Sequence, residues 1–151
     1  MYTRMGNFMK FDNFETLRSN FDFKCVYNRK KSFANRYLIM YISENGTDAL
    51  RLGVSVSKKV GNSIVRHRLA RLIRESFRLN ADKVNRGYDI VVIARAGLKD
   101  KNYFETESAM LHLLKLHHLT EDDCLRNGDE NYGKKGNDLA YKILSACIIS
   151  I

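Results

Sequence analysis

Lys58, Lys59, Arg66, Arg68, Arg71 and Arg74 lie close together in the chain, and with Arg51 and Arg78 they oppose one carboxylate, Glu75. Residues 51–78 thus hold eight cations and one anion, net +7, in a chain whose formal charge is +9. Arginine forks grip phosphate oxygens bidentately and stay charged at any biological pH. Positive charge focused in this way is chemistry for a polyanion. No paired carboxylates, nucleophile–base triad or metal-ligand cluster stands out, so neither catalytic nor metal-ligating residues are expected. His112, His117 and His118 do not form an i, i+4 zinc pair and are expected to be surface or packing residues.

Three elements must position these cations. Arg51 to Ser57 alternates in period two, with Leu52, Val54 and Val56 on one face and Gly53, Ser55 and Ser57 on the other, which predicts a strand with one apolar face and one face of very small residues. Lys58 to Asn62 is a basic turn in which Gly61 relaxes the backbone and Asn62 or Ser63 caps a helix. From Ile64 to Leu79, Val65, Leu69, Leu72, Ile73 and Phe77 share one helical arc and His67, Arg71, Arg74 and Arg78 another. Arg66 and Arg68 flank the basic arc. The bland alternative is a solvated amphipathic helix, but such helices mix signs, and here only Glu75 offers neutralisation.

A chain of 151 residues with 44% hydrophobic and 11% aromatic content fits one domain with a sizeable core. Cys25, Cys124 and Cys147 are odd in number and far apart, which disfavours a disulfide framework and suits a reducing cytoplasm. The first residues lack a signal-peptide core, and no apolar run is long enough to span a bilayer. A formal charge of +9 and a pI near 9.6 point to nucleic acid or an anionic membrane surface as partner.

Along the chain, residues 1–14 are expected to be a flexible extension, followed by a short helix over roughly Leu17 to Tyr27 and a polar connection from Asn28 to Asn35. Tyr37 to Ser43 is a predicted strand, and the Glu44-Asn45-Gly46 turn predicts its antiparallel pairing with the Arg51 strand. Tyr88 to Arg95 is the most apolar strand and is expected to be central. Tyr103 to Leu119 reads as a helix with Phe104, Met110, Leu111, Leu114 and Leu119 among its apolar positions. Residues 121–151 form a polar linker and an apolar tail. The small-residue strand face, with Tyr41, Phe23 and Tyr27 beside it, is expected to form a shallow aromatic groove suited to an unpaired nucleic-acid strand.

The run SVSKKVGNSIVRHRLARLIRESFR closely resembles the signature of the bacterial ribonuclease P protein component, a Lys-Lys-x-Gly turn followed by an Arg-Asn-Arg helix. FDFKCVYNRKKSFANRYLIMYI resembles that family's N-terminal helix and first strand, and GYDIVVIARAGLKDKNYFETESAMLHLLK its last strand and last helix. The likeness covers about residues 14–120, in order. It implies an α+β two-layer sandwich with a mixed sheet of about four strands, a left-handed βαβ crossover and a domain over residues 15–120. It also implies a small basic protein that binds ribonuclease P RNA and helps that RNA, which holds the Mg2+ ions, remove the 5′ leader of precursor tRNA. By position, Lys58, Lys59, Arg66, His67, Arg68, Arg71 and Arg74 would contact the catalytic RNA. Phe23, Tyr27, Tyr41, Ser55 and Ser57 would line the leader groove. His67 stands where the family usually has Asn, and Ala70 where it usually has Lys, so RNA binding is expected to weaken modestly.

Two other readings compete. A non-catalytic ribosomal or assembly factor needs the same electrostatics. A helix-turn-helix DNA regulator fares worst, because the strand entering Lys58 leaves no paired first helix, so DNA is not an expected partner.

Overall fold

The computed structural model describes residues 13–120. The expected flexible start before residue 13, the linker and tail over 121–151, Cys124 and Cys147 all lie outside the described residues. Five strands, β1 (Glu15–Thr16), β2 (Ser32–Ala34), β3 (Leu38–Glu44), β4 (Arg51–Val56) and β5 (Tyr88–Ala94), form one sheet in the order β1-β4-β5-β3-β2. Three helices, α1 (Asn20–Asn28), α2 (Ser63–Asn80) and α3 (Tyr103–Leu116), pack on it. No described helix is long and apolar enough to cross a membrane.

The sheet has five strands rather than about four because two short segments add its edges. β1 pairs parallel to β4, and β2, within the expected polar connection, pairs antiparallel to β3. The expected hairpin between β3 and β4 does not form. β5 lies between them, antiparallel to β3 and parallel to β4. The 44–50 connection instead bridges the start of β5. Asn45 donates from its backbone N to Gly87 O at 3.0 Å, and from Nδ2 to Ala49 O and Asp89 Oδ1, each at 2.9 Å. Gly87 takes φ +88° there, a conformation that L side chains rarely adopt. β5 is the strand with most to gain from a central place, since Asp89 to Val92 are all buried. Parallel β4 and β5 are joined through α2 as a βαβ unit.

Registers sort the sheet into two faces. One carries Leu52–Ile90–Ile42, Val54–Val92–Met40 and Val56–Ala94–Leu38 in cross-strand rows. On these rows pack Leu69, Ile73 and Phe77 of α2 and Met110, Leu113 and Leu114 of α3. This is the main core. Phe14 belongs to it, buried and edge-on to Phe77 with ring centroids 5.0 Å apart, so an extension ending at residue 14 would cut through the core. Asn80 ties α2 to α3, its Nδ2 donating to Ser76 O and Glu107 Oε1 at 2.9 Å each. α3 opens with a reciprocal cap between Asn102 and Glu105. Phe104, expected among the apolar positions of α3, is 75% exposed, because it lies on the opposite side of the helix from the buried stripe of Thr106, Ala109, Met110, Leu113 and Leu114.

The other face carries Arg51–Asp89–Ser43, Gly53–Val91–Tyr41 and Ser55–Ile93–Ile39. α1 crosses it as a third, partial layer. Ser19 caps the helix by accepting from Phe21 N at 3.2 Å. Lys30, at φ 55°, turns the chain away from it towards β2.

Candidate RNA interface

The basic segment is positioned by its caps. Ser57 Oγ accepts from Lys59 N at 3.2 Å and holds the Lys58–Lys59 turn at the end of β4. Asn62 Oδ1 accepts from Val65 N at 3.0 Å and starts α2. Leu69, Ile73 and Phe77 face inward, leaving His67 and Arg71 exposed and Arg74 half-buried on the other side. Among the described residues Lys58, Lys59, Arg66, Arg71 and Arg74 form no ion pair, and the first turn of α2 carries no acid. The positive helix N-terminus therefore adds to this charge. Nε of Arg66 is buried without a hydrogen-bond partner.

Three other cations of the segment are engaged within the protein. Arg51 Nε donates to Asp89 Oδ1 at 2.7 Å, with Asp22 3.7 Å from the same guanidinium; the bond to Asp89 chiefly holds the arginine's pKa above its usual value. Arg78 pairs with Glu75 at 2.6 Å, which pulls the Glu75 carboxyl below its usual range. Arg68 keeps its charge but spends its fork on backbone, donating to Lys99 O at 3.1 Å and Lys101 O at 3.0 Å.

On the opposite face of the sheet the predicted aromatic residues come together. Phe23 lies directly over Gly53: a Cβ there would sit 2.6 Å from Phe23 Cζ. Tyr27 meets Tyr41 edge-on at 5.0 Å and 84°, and Phe23 and Tyr27 are 6.4 Å apart. Burial, then the neighbouring Tyr41, pushes the Tyr27 phenol up, so it stays neutral. α1 thus runs from β4 to β3 over one row and leaves the next, Ser55–Ile93–Ile39, beside it as a groove floor, with Ser55 and Ile93 half-exposed. Ser57, exposed just past the end of β4, also holds the basic turn through its Oγ. Ile39 and Ile93 went unnoticed in the sequence; pairing YLIMYIS antiparallel with YDIVVIAR would have put them side by side.

Buried His117 fits the packing role expected for it: Nε2 lies 3.1 Å from Met40 O, and burial pushes its pKa down to about 4. Among the described residues no group of three or more His, Cys, Asp or Glu side chains is placed to hold a metal ion.

The ribonuclease P family model matches residues 11–117. A curated "Ribonuclease P protein component" from Lachnoclostridium phytofermentans is 58% identical over 105 residues, covering 70% of this chain and 90% of that protein. Another, from Alkaliphilus oremlandii, is 56% identical over 99 residues, covering 66% and 87%. Among solved structures, the Staphylococcus aureus RNase P protein superposes with a TM-score of 0.65 at 36% identity, covering 70% of this chain and 96% of that one. The Thermotoga maritima RNase P protein gives 0.63 at 36% identity, covering 68% and 96%. Sequence, fold and motif order agree, and the chain belongs to the ribonuclease P protein component family.

Proposed function

We propose that this chain grips the catalytic RNA of ribonuclease P with the exposed side of α2 and the 5′ leader of precursor tRNA with the groove beside α1. As a family member it is the accessory protein subunit of an endoribonuclease that trims tRNA 5′ ends. The observation that carries the division of labour is that Lys58, Lys59, Arg66, Arg71 and Arg74 form no ion pair among the described residues, while His67, Arg71 and Arg74 share the side of α2 turned away from the core. Phosphate oxygens are the complementary partner. In the groove, Phe23, Tyr27 and Tyr41 offer π-faces and edges to bases regardless of sequence, and small Ser55 leaves room for a strand to approach the sheet.

The family's reaction needs divalent metal, and we assign Mg2+. The described side chains do not suit the ion, so RNA phosphates would hold it; the protein's part is to neutralise phosphates so that the RNA reaches its active form at lower Mg2+. We assign the protein to the cytoplasm, alongside ribonuclease P RNA and precursor tRNA, with neither DNA nor membrane as a partner.

The test is cleavage of a 5′-labelled precursor tRNA at low magnesium, with and without the organism's ribonuclease P RNA. Cutting at the mature 5′ end by protein plus RNA, and by neither alone, supports the subunit reading. Binding without restored cleavage transfers the protein to the assembly-factor class. Five cation–phosphate contacts give a log–log salt slope of roughly −3.5 to −4.5, and a measured slope near −1 would remove α2 as the main RNA surface.

A further inference from the structure

We infer that a second stacking site, separate from the groove beside α1, lies where the β2–β3 turn meets the first turn of α3, and that it takes an unpaired base of the catalytic RNA. The inference rests on the subunit reading above. A shallow, open depression of about 440 Å³ lies there, with Asn35, Arg36, Tyr37, Phe104, Glu105 and His112 among its walls. That size is within the range of about 300–1,000 Å³ typical of small-ligand sites. Phe104 is 75% exposed at its rim, and Tyr37 is half-buried. The Tyr37 ring already has cations beside it, with Arg36 Cζ 6.0 Å and Lys101 Nζ 5.5 Å from its centroid. Rings flanked by cations are what an unpaired nucleotide uses, the base on the π-face and the phosphate on the charge.

The frame is fixed before any ligand arrives. Asn35 Oδ1 accepts from Tyr37 N and Leu38 N at 3.0 and 2.9 Å, its Nδ2 donates to Ala109 O of α3 at 2.9 Å, and Arg95 donates to Asn35 O at 2.9 Å. On the other wall, Glu105 caps α3 with Asn102 and pairs with Lys101 at 3.0 Å. Pre-fixed rings lose little entropy on stacking.

The choice of catalytic RNA follows from Arg68. Its bonds to Lys99 O and Lys101 O fasten the loop beside the pocket onto α2. Lys101, whose Nζ reaches the Tyr37 ring, is thereby tied to the helix that carries the basic segment, whereas the leader groove lies on the other face of the sheet. Arg36 lines the pocket and Lys101 Nζ reaches the Tyr37 ring, against one lining acid, Glu105, which Lys101 already pairs, so the site suits a ligand that carries both a ring and a phosphate.

The chain contains no tryptophan, so F104W introduces a single indole reporter at an exposed position. Titrating the full-length F104W protein with ribonuclease P RNA is expected to quench its emission by half or more, and leader-bearing precursor tRNA alone is expected to leave it unchanged. F104A and F104L are each expected to weaken ribonuclease P RNA binding about tenfold, with the affinity gained from a leader unchanged. Quenching by precursor tRNA alone overturns the assignment to catalytic RNA. F104L binding like the unaltered protein overturns stacking in favour of apolar contact. No quenching, with F104A binding normally, overturns the site altogether. In each of these cases the unaltered protein still restores cleavage; its failure to do so overturns the subunit reading instead.

Discussion

The same three long strands present two faces with different fates. On one, α2 and α3 bury Leu38, Met40, Ile42, Leu52, Ile90 and Val92 completely or nearly so. On the other, α1 covers Gly53–Val91–Tyr41 and leaves Ser55 and Ile93 half-exposed. The closed face contributes stability through apolar burial and close packing. The open face keeps aromatic rings at the surface, where a strand of RNA can reach them. The two are joined at the end of β4 by the Lys58–Lys59 turn, so a single strand feeds the groove on one side and the basic helix on the other. On the proposed assignment a small protein holds two RNA elements without competition between them, with stability from one face and leader binding from the other.

That separation can be broken or sharpened by substitution. Phe77→Ala, on the closed face, removes a fully buried ring packed against Phe14 and is expected to cost about 3–5 kcal/mol in urea unfolding. The protein that remains folded should bind leader with unchanged affinity. Next is buried His117, whose pKa falls from about 6.5 in the unfolded chain to about 4 on folding. Burial is the main cause, and the Met40 carbonyl opposes it while Lys31 and His118 add to it. Between those values the unfolded chain takes up a proton that the folded protein refuses, so stability should be lost as pH drops through that window. The loss is on the order of 3 kcal/mol and levels off above pH 6.5. Unfolding midpoints of the unaltered protein and H117Q across pH 4–7 check this, since only the unaltered protein should carry that part of the slope.

On the open face the expected effects are smaller for stability and larger for function. Tyr41→Ala should weaken binding of leader-bearing precursor by about 1–3 kcal/mol and leave affinity for mature tRNA unchanged, as read by filter binding. Gly53→Ala puts a methyl 2.6 Å from Phe23 Cζ and forces that ring off the sheet. It should cost about 1–3 kcal/mol of stability and reduce the leader effect in the same direction as Tyr41→Ala. Equal losses for leader and mature tRNA in both variants would sink the groove assignment. Smallest of all, Arg71→Ala should lower the salt slope of catalytic-RNA binding by about 1 without touching leader discrimination.

The sequence by itself determined the chemistry and most of the elements. The +7 segment, the Asn62 cap and the inward arc of Leu69, Ile73 and Phe77 are local patterns, set by residues a few positions apart, and each stands where periodicity put it. Membership of the family was legible in three stretches of residue order. Only the tertiary structure decided which cations are free. Arg51, Arg68 and Arg78 look like their neighbours in the sequence, yet Asp89, the Lys99 and Lys101 carbonyls and Glu75 claim them. All but the Glu75 pair span more than thirty residues, beyond any local pattern. The placement of β5 between β3 and β4 is likewise non-local: a turn signal describes its own few residues, whereas strand order depends on which strand gains most by burying both edges. Exposed Phe104 is a different case: its helical phase, opposite to buried Thr106, Met110 and Leu113, already points it away from the core.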